Sequence, residues 1–175
     1  MFKKILVATD NSTHSRQAVE IAGDIASKYN SKLILLHVIH PQRVNHEFKR
    51  MAEVEHLMDE GPKVTRSASN FPETVAESLT RMNESVDASY RYLQLMAEQI
   101  IEKAKKIVLK LGAKDPTGRI EDGDPANEIL ECANRESVDL IVLGSRGLGD
   151  LKGLLMGSVS HKVSQHAKCS CVIVK

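Results

Sequence analysis

Apolar runs alternate with apolar stripes of helical period along most of the chain. Phe2 to Thr9 carries the continuous apolar core Ile5-Leu-Val-Ala8. Continuous rather than alternating apolarity predicts a strand buried on both faces, as in a parallel sheet. Asp10-Asn-Ser12 predicts a turn, with Ser12 as N-cap of a helix whose stripe is Ala18, Ile21, Ala22, Ile25, Ala26 and Tyr29. Lys32 to Ile39 is the second strand, built on Leu33-Ile-Leu-Leu36 and Val38. The pattern then lapses over residues 41–88, a polar segment with Gly61-Pro62 and Phe71-Pro72. Within it, 47–59 predicts a short helix, 62–75 a loop and 73–86 a weak helix. So long a segment is uncommon inside a compact domain. It reads as an insertion that partly folds, a mobile lid or a partner-binding arm.

Periodicity returns near Ala88. Leu93, Met96, Ala97, Ile100, Ala104, Ile107, Val108 and Leu111 predict a long amphipathic helix closed by Gly112. Residues 115–121 predict a poor strand, which Pro116 and Gly118 confine to a sheet edge. Asp124 and Pro125 suit the N-cap and first turn of a helix with the stripe Ile129, Leu130 and Ala133. Asp139 to Leu143 is a fourth strand, Val159 to Ala167 a last helix and Cys169 to Val174 a fifth strand. Strict alternation of this kind calls for a doubly wound five-stranded parallel sheet with helices on both faces. In the order 3-2-1-4-5, ligands bind where strands 1 and 4 diverge, at their carboxyl ends. Asp10 ends strand 1 and Gly144 ends strand 4, so two separate signals meet at one crevice.

Composition narrows the partners. A chain of 175 residues with 42% hydrophobic and 27% charged residues fits one soluble domain, 1–175, with a substantial core. The net charge of +1 gives no electrostatic case for nucleic acid or a membrane surface. No apolar run approaches the roughly 20 residues that span a bilayer. The apolar stretch after Lys3-Lys4 is too short for a signal peptide, because Asp10 follows at once. Three cysteines, Cys132, Cys169 and Cys171, make no disulfide framework and fit a reducing, cytoplasmic setting. Cys169 and Cys171 share one strand face, which reads as packing rather than a metal pair. His37 and His40 fall on opposite faces of a strand, and His161 and His166 on a helix surface, so no metal site is assigned.

The chemistry lies in Gly144-Ser-Arg-Gly147 and, nine residues on, Gly157-Ser158-Val-Ser160. Glycines after a buried strand let backbone approach a ligand closely. The amides of a helix start bind phosphate. No Gly-Lys-Ser/Thr occurs, and the first turn, Thr9-Asp10-Asn11-Ser12, lacks the dinucleotide glycines. At these residues the chain resembles the universal stress protein family. The likeness runs through Lys4-Ile-Leu-Val-Ala-Thr-Asp10, Leu35-Leu-His-Val-Ile39, Gly123-Asp-Pro125, Val138 to Gly147, Gly157 to Ser160 and Cys171-Val-Ile-Val-Lys175. The spacing Gly-x2-Gly-x9-Gly-Ser is that family's ATP-binding signature, and it is complete here.

The resemblance implies the adenine nucleotide alpha hydrolase-like form of the fold, and ATP, with Mg²⁺, as ligand. It places Asp10 on the ribose or a phosphate-bound metal, with Ala8 and Thr9 beside it. Val38 would hold adenine through its backbone, and Leu143 would line the base or ribose. Amides of Gly144, Arg146, Gly147, Gly157, Ser158, Val159 and Ser160 would hold the phosphates, aided by the Ser158 and Ser160 hydroxyls and the Arg146 charge. Each residue also has a plain structural reading: Asp10 and Ser158 as caps, Val38 as core, Arg146 as a solvated loop residue. The first functional expectation is a nucleotide-dependent regulator in the stress response, since no positioned base or carboxylate pair accompanies the cradle. The alternatives are a slow ATPase or phosphotransferase using Asp10, and a module that docks a protein through 41–88. The family's habit of pairing the last strand with its copy implies a homodimer through 170–174, an apolar sheet edge.

Overall fold

The computed structural model describes residues 2–40, 75–148 and 156–175, with backbone alone for 75–89. The expected helix at 47–59 and most of the expected loop at 62–75 lie outside the described residues. The elements run β1 Lys4–Ala8, α1 Thr13–Tyr29, β2 Lys32–Ile39, α2 Val75–Lys110, β3 Thr117–Asp122, α3 Pro125–Glu136, β4 Leu140–Gly144, α4 Ser158–His166 and β5 Ser170–Val174. All strand pairs are parallel, in the order β3-β2-β1-β4-β5. The chain divides into two compact units, residues 1–40 with 96–175, and residues 41–95. The whole sheet belongs to the first. Among the described residues, no helix is long and apolar enough to cross a membrane.

The apolar runs are continuous because successive residues feed opposite faces of the sheet. Ile5, Val7, Leu33, Leu35, Leu140 and Val142 pack with Ala18, Ala22 and Ala26 of α1 and Ala104 and Val108 of α2. Leu6, Ile34, Leu36, Ile141 and Leu143 pack with Ile129 and Ala133 of α3 and Val163 of α4 on the other face. The weak strand is β3, at the sheet edge, with Pro116 just before it. Gly118 is there for space, since a Cβ would strike Ile101 and Lys105 of α2.

Two helices differ from their expected form. The inward face of α1 is Ser15, Ala18, Val19, Ala22, Gly23 and Ala26, whereas Ile21 and Tyr29 stand 39% and 52% exposed. Small residues win this face because α1 lies close to α2. A Cβ on Gly23 would come within 3.1 Å of the Val108 and Leu111 side chains and 3.2 Å of the Val108 backbone. The helix expected from Ala88 begins at Val75 and takes in residues 75–86 of the segment expected as weakly helical. Its Ile101 is buried although outside the predicted stripe, and Leu111 is 41% exposed although inside it.

Candidate functional site

Strands β1 and β4 are neighbours, and their chains leave in opposite directions, β1 to α1 on one face and β4 toward α4 on the other. The carboxyl ends of these strands carry three backbone segments: Thr9–Ser12, Gly144–Leu148 and the start of α4. The first is a tight Asx turn. Asp10 Oδ1 accepts the Ser12 amide at 3.0 Å, and Asn11 takes a left-handed φ of 63°, which Asn tolerates better than most side chains. Ser12 then caps α1, its hydroxyl accepting the Ser15 amide at 3.3 Å, as expected of it. The other Asp10 oxygen crosses to the second segment and accepts the Leu148 amide at 2.9 Å. The Ser12 hydroxyl leans the same way, 3.5 Å from the Arg146 carbonyl.

Ser145, only 1% exposed, fastens the second segment to the third. Its amide donates to the Val174 carbonyl of β5. Its carbonyl accepts the Gly157 amide at 2.7 Å and the Ser160 hydroxyl at 2.8 Å. Sequence reasoning missed Ser145, because a serine after a strand carries no periodic signal. Ser160 was expected to offer its hydroxyl to a ligand; it is buried, and that proton is committed to Ser145. Ser158 was expected to bond a phosphate, with an N-cap role as the plain alternative. The N-cap is Gly157, with φ −75° and ψ 162°, and Ser158 is an exposed first-turn residue.

The start of α4 differs from those of α1 and α3. Ser12 and Asp124 close those two helices with side-chain bonds, whereas Gly157 has no side chain to do so and the first turn of α4 holds no acid. The first amides of a helix have no intrahelical acceptor, so α4 presents donors and the positive end of its dipole. Arg146, half-buried, has a buried Nε without a hydrogen-bond partner. Gly147 is exposed beside it. None of the three signature glycines has a left-handed φ. Gly144 is required by space, because a Cβ would lie 2.8 Å from the backbone of His14 and Ser15. At Gly157 a Cβ would find ordinary contacts of 3.5 to 3.7 Å.

The remaining expected site residues sit deeper. Leu143 is 3% exposed in the core facing α3 and α4, and Ala8, Val38 and Val159 are half-buried against the same cluster. Thr9 is buried, its hydroxyl 3.3 Å from that of Ser15. His37, on the face opposite Val38, donates from Nδ1 to the Thr9 carbonyl at 2.8 Å. Burial lowers the His37 pKa below its ordinary 6.5, against the opposing pulls of the Thr9 carbonyl and Asp10. The folded protein therefore prefers neutral His37, while the unfolded chain takes up the proton below pH 6.5. The His37 contribution is intact above 6.5 and declines as pH falls from there toward the lowered value. Thermal midpoints followed downward from neutral pH should fall less steeply for His37→Gln than for the wild type; parallel curves would remove His37 from the acid response.

Cys132, Cys169 and Cys171 are free thiols, and burial pushes all three up, the opposite of an activated cysteine. Among the described residues no group of three or more His, Cys, Asp or Glu could hold a metal ion. Among the described residues, the crevice offers a ligand backbone donors, one arginine and an exposed serine, and no free acid-base pair. It is suited to grip an anion.

Comparison with known proteins shows the family. The chain is 33% identical to universal stress protein YxiE of Bacillus subtilis (strain 168) over 175 residues, covering all of both chains. Among solved structures it matches hypothetical protein MJ0577, the subject of a structure-based assignment of biochemical function. That likeness has a TM-score of 0.69 at 27% identity and covers 100% of this chain and 96% of the other. It also matches a universal stress protein in complex with cAMP, with a TM-score of 0.60 at 24% identity, covering 99% and 96%. A model described as "Universal stress protein family" matches residues 1–175, and the chain belongs to that family.

Proposed function

We propose that this chain binds an adenine nucleotide, ATP with Mg²⁺, between the Gly144–Gly147 loop and the start of α4, and acts as a nucleotide-dependent regulator in the stress response. The observation that carries the reading is the first turn of α4: uncapped by any side chain, free of acids and joined to the glycine loop through Ser145. Such a turn is a ready phosphate site. The family structure solved with cAMP supports adenine as the base. Amides of Gly144, Arg146, Gly147, Gly157, Ser158, Val159 and Ser160 hold the phosphates. Arg146 and the exposed Ser158 hydroxyl add direct bonds. The base lies toward Val38 and Ala8, with Leu143 as packing beneath. With no metal-binding cluster among the described residues, Mg²⁺ enters as the nucleotide's own counter-ion.

Regulation rather than turnover is supported by Asp10, whose two oxygens already accept backbone amides. Those bonds fix the carboxylate's orientation on the loop backbone, and amide bonds to a carboxylate stabilise its ionised form, which makes it a poorer proton acceptor. The same reading makes the protein cytoplasmic and a homodimer through 170–174. Its support is β5 at the sheet edge, with Cys171, Val172 and Ile173 half-buried, since an apolar edge strand tends to find a partner. The test is mass spectrometry of nucleotide carried through purification, followed by titration with ATP and Mg²⁺. Wild-type protein should carry or take up adenine nucleotide at micromolar concentrations. Protein that arrives empty and gives no binding heat defeats the proposal.

A further inference from the structure

Asp10 and Gly147 form a pair that motif reading treats as two separate ligand contacts. Gly147 does not need glycine for its backbone conformation, since its φ is not left-handed. It needs glycine for space: an added Cβ would fall onto Asp10 Oδ2. That same oxygen accepts the Leu148 amide at 2.9 Å, while Oδ1 accepts the Ser12 amide at 3.0 Å. One carboxylate thus joins the turn after β1 to the loop after β4, and the bare backbone at Gly147 is what lets it come close enough. Charge-assisted bonds from backbone amides are among the stronger hydrogen bonds a side chain can make.

We propose that Asp10 is a clasp that holds the glycine loop in its ligand-ready shape, and that Gly147 is glycine in order to admit it. Asp10 is then a positioning residue, acting on the phosphates through the amides of Arg146 and Gly147. This replaces the direct contact with ribose or metal that the family resemblance implies. The proposal deepens the nucleotide-binding reading and rests on it only for its second readout.

The test uses the full chain in four forms: wild type, Asp10→Asn, Gly147→Ala and the double variant. Asparagine keeps the shape of aspartate but replaces one acceptor by a donor, which would face an amide N–H. Alanine at Gly147 pushes the carboxylate away from the Leu148 amide from the other side. The first readout is hydrogen exchange at the amides of Ser12 and Leu148 without nucleotide. Exchange at Leu148 should quicken about tenfold in both single variants, the loss expected for one charge-assisted bond. The second readout is ATP affinity with and without Mg²⁺. Each single variant should bind about tenfold more weakly, the double variant no more weakly than either, and the losses should be the same with and without the metal. Unchanged exchange at Leu148 in both variants overturns the clasp. So does an Asp10→Asn loss that appears only with Mg²⁺ and adds to that of Gly147→Ala, which is the signature of direct metal contact. If wild type binds no nucleotide the function proposal falls, and the exchange data still decide the clasp.

Discussion

Gly144→Ala is expected to destabilise the protein by about 3 kcal/mol, the upper part of the range for overpacking a tight interior. The added Cβ meets the His14 carbonyl carbon and the Ser15 nitrogen at 2.8 Å and the His14 Cβ at 3.0 Å. Two of those atoms are main chain, so no side-chain rotation can relieve the clash. The first turn of α1 is itself pinned by the Ser12 cap and by the Ser15 hydroxyl, which donates to the Ser12 carbonyl at 3.0 Å. On the other side, Gly144 is the last residue of β4, in register with Val174 of β5. Either α1 or the end of β4 must move, and each is packed into the core. For a chain of this size the melting midpoint should drop by about 6–12 °C. Gly157→Ala is the control. Its Cβ has ordinary contacts and its φ of −75° suits any residue, so the loss should be limited to the cost of placing Ala for Gly at an N-cap, about 1 kcal/mol or less. Equal midpoints for the two alanine variants in calorimetry would show that the β4–α1 contact yields easily. The contrast also bears on the function: lost nucleotide binding in a Gly144 variant would report on folding, not on the cradle.

The sheet was legible because its signal is redundant. Every central strand has apolar residues on both faces, and Leu6 and Val7, side by side, enter different cores. The edge position of β3 could be read from Pro116 and Gly118. The helix stripes were legible to within one face. Ile21 and Tyr29 belong by period to the buried side of α1, but that side is set by how closely α2 approaches, and only small residues fit. Periodicity registers apolarity and carries no measure of distance between helices. The site divided in the same way. The places of Asp10, Gly144 and Gly157 followed from topology, because a parallel sheet in this order has one switch point. What could not be read was which groups are already occupied. The Ser160 hydroxyl, the Asp10 carboxylate and the Ser145 carbonyl each have a partner at least 15 residues away in sequence, and up to 138. Long-range hydrogen bonds leave no local pattern behind.

The cradle so described explains gripping better than cutting. Its strong donors are backbone amides, which neither titrate nor attack. Among the described residues, the acid beside the glycine loop is Asp10, which accepts two amides. A ligand held this way can bias the loop after β4 and the start of α4, the two segments that Ser145 joins. Communication to another molecule would pass through β5, since Ser145 also donates its amide to Val174 at the sheet edge.

Ser158→Asp should move stability and binding in opposite directions. Ser158 is the first residue of α4 and exposed, so the new carboxylate needs no repacking. It meets the positive end of a helix whose first turn has no acid. An acidic side chain there stabilises a helix by about 0.3–1 kcal/mol, so the melting midpoint should hold or rise slightly. Any phosphate held by the same amides would then lie within a few ångströms of a fixed negative charge. At an effective dielectric constant near 20, two unit charges about 4 Å apart repel by about 4 kcal/mol. Allowing for solvent and for movement of the side chain, about 3 kcal/mol remains, which corresponds to roughly a hundredfold loss in ATP affinity. Ser158→Ala removes one hydroxyl and no more, and should weaken binding by less than about tenfold. Isothermal titration of the three proteins reads the effect, with melting curves run alongside. Because the carboxylate strengthens the helix, a loss of nucleotide in Ser158→Asp cannot be laid to unfolding. An aspartate variant that binds ATP as tightly as wild type would place the phosphates somewhere other than the start of α4.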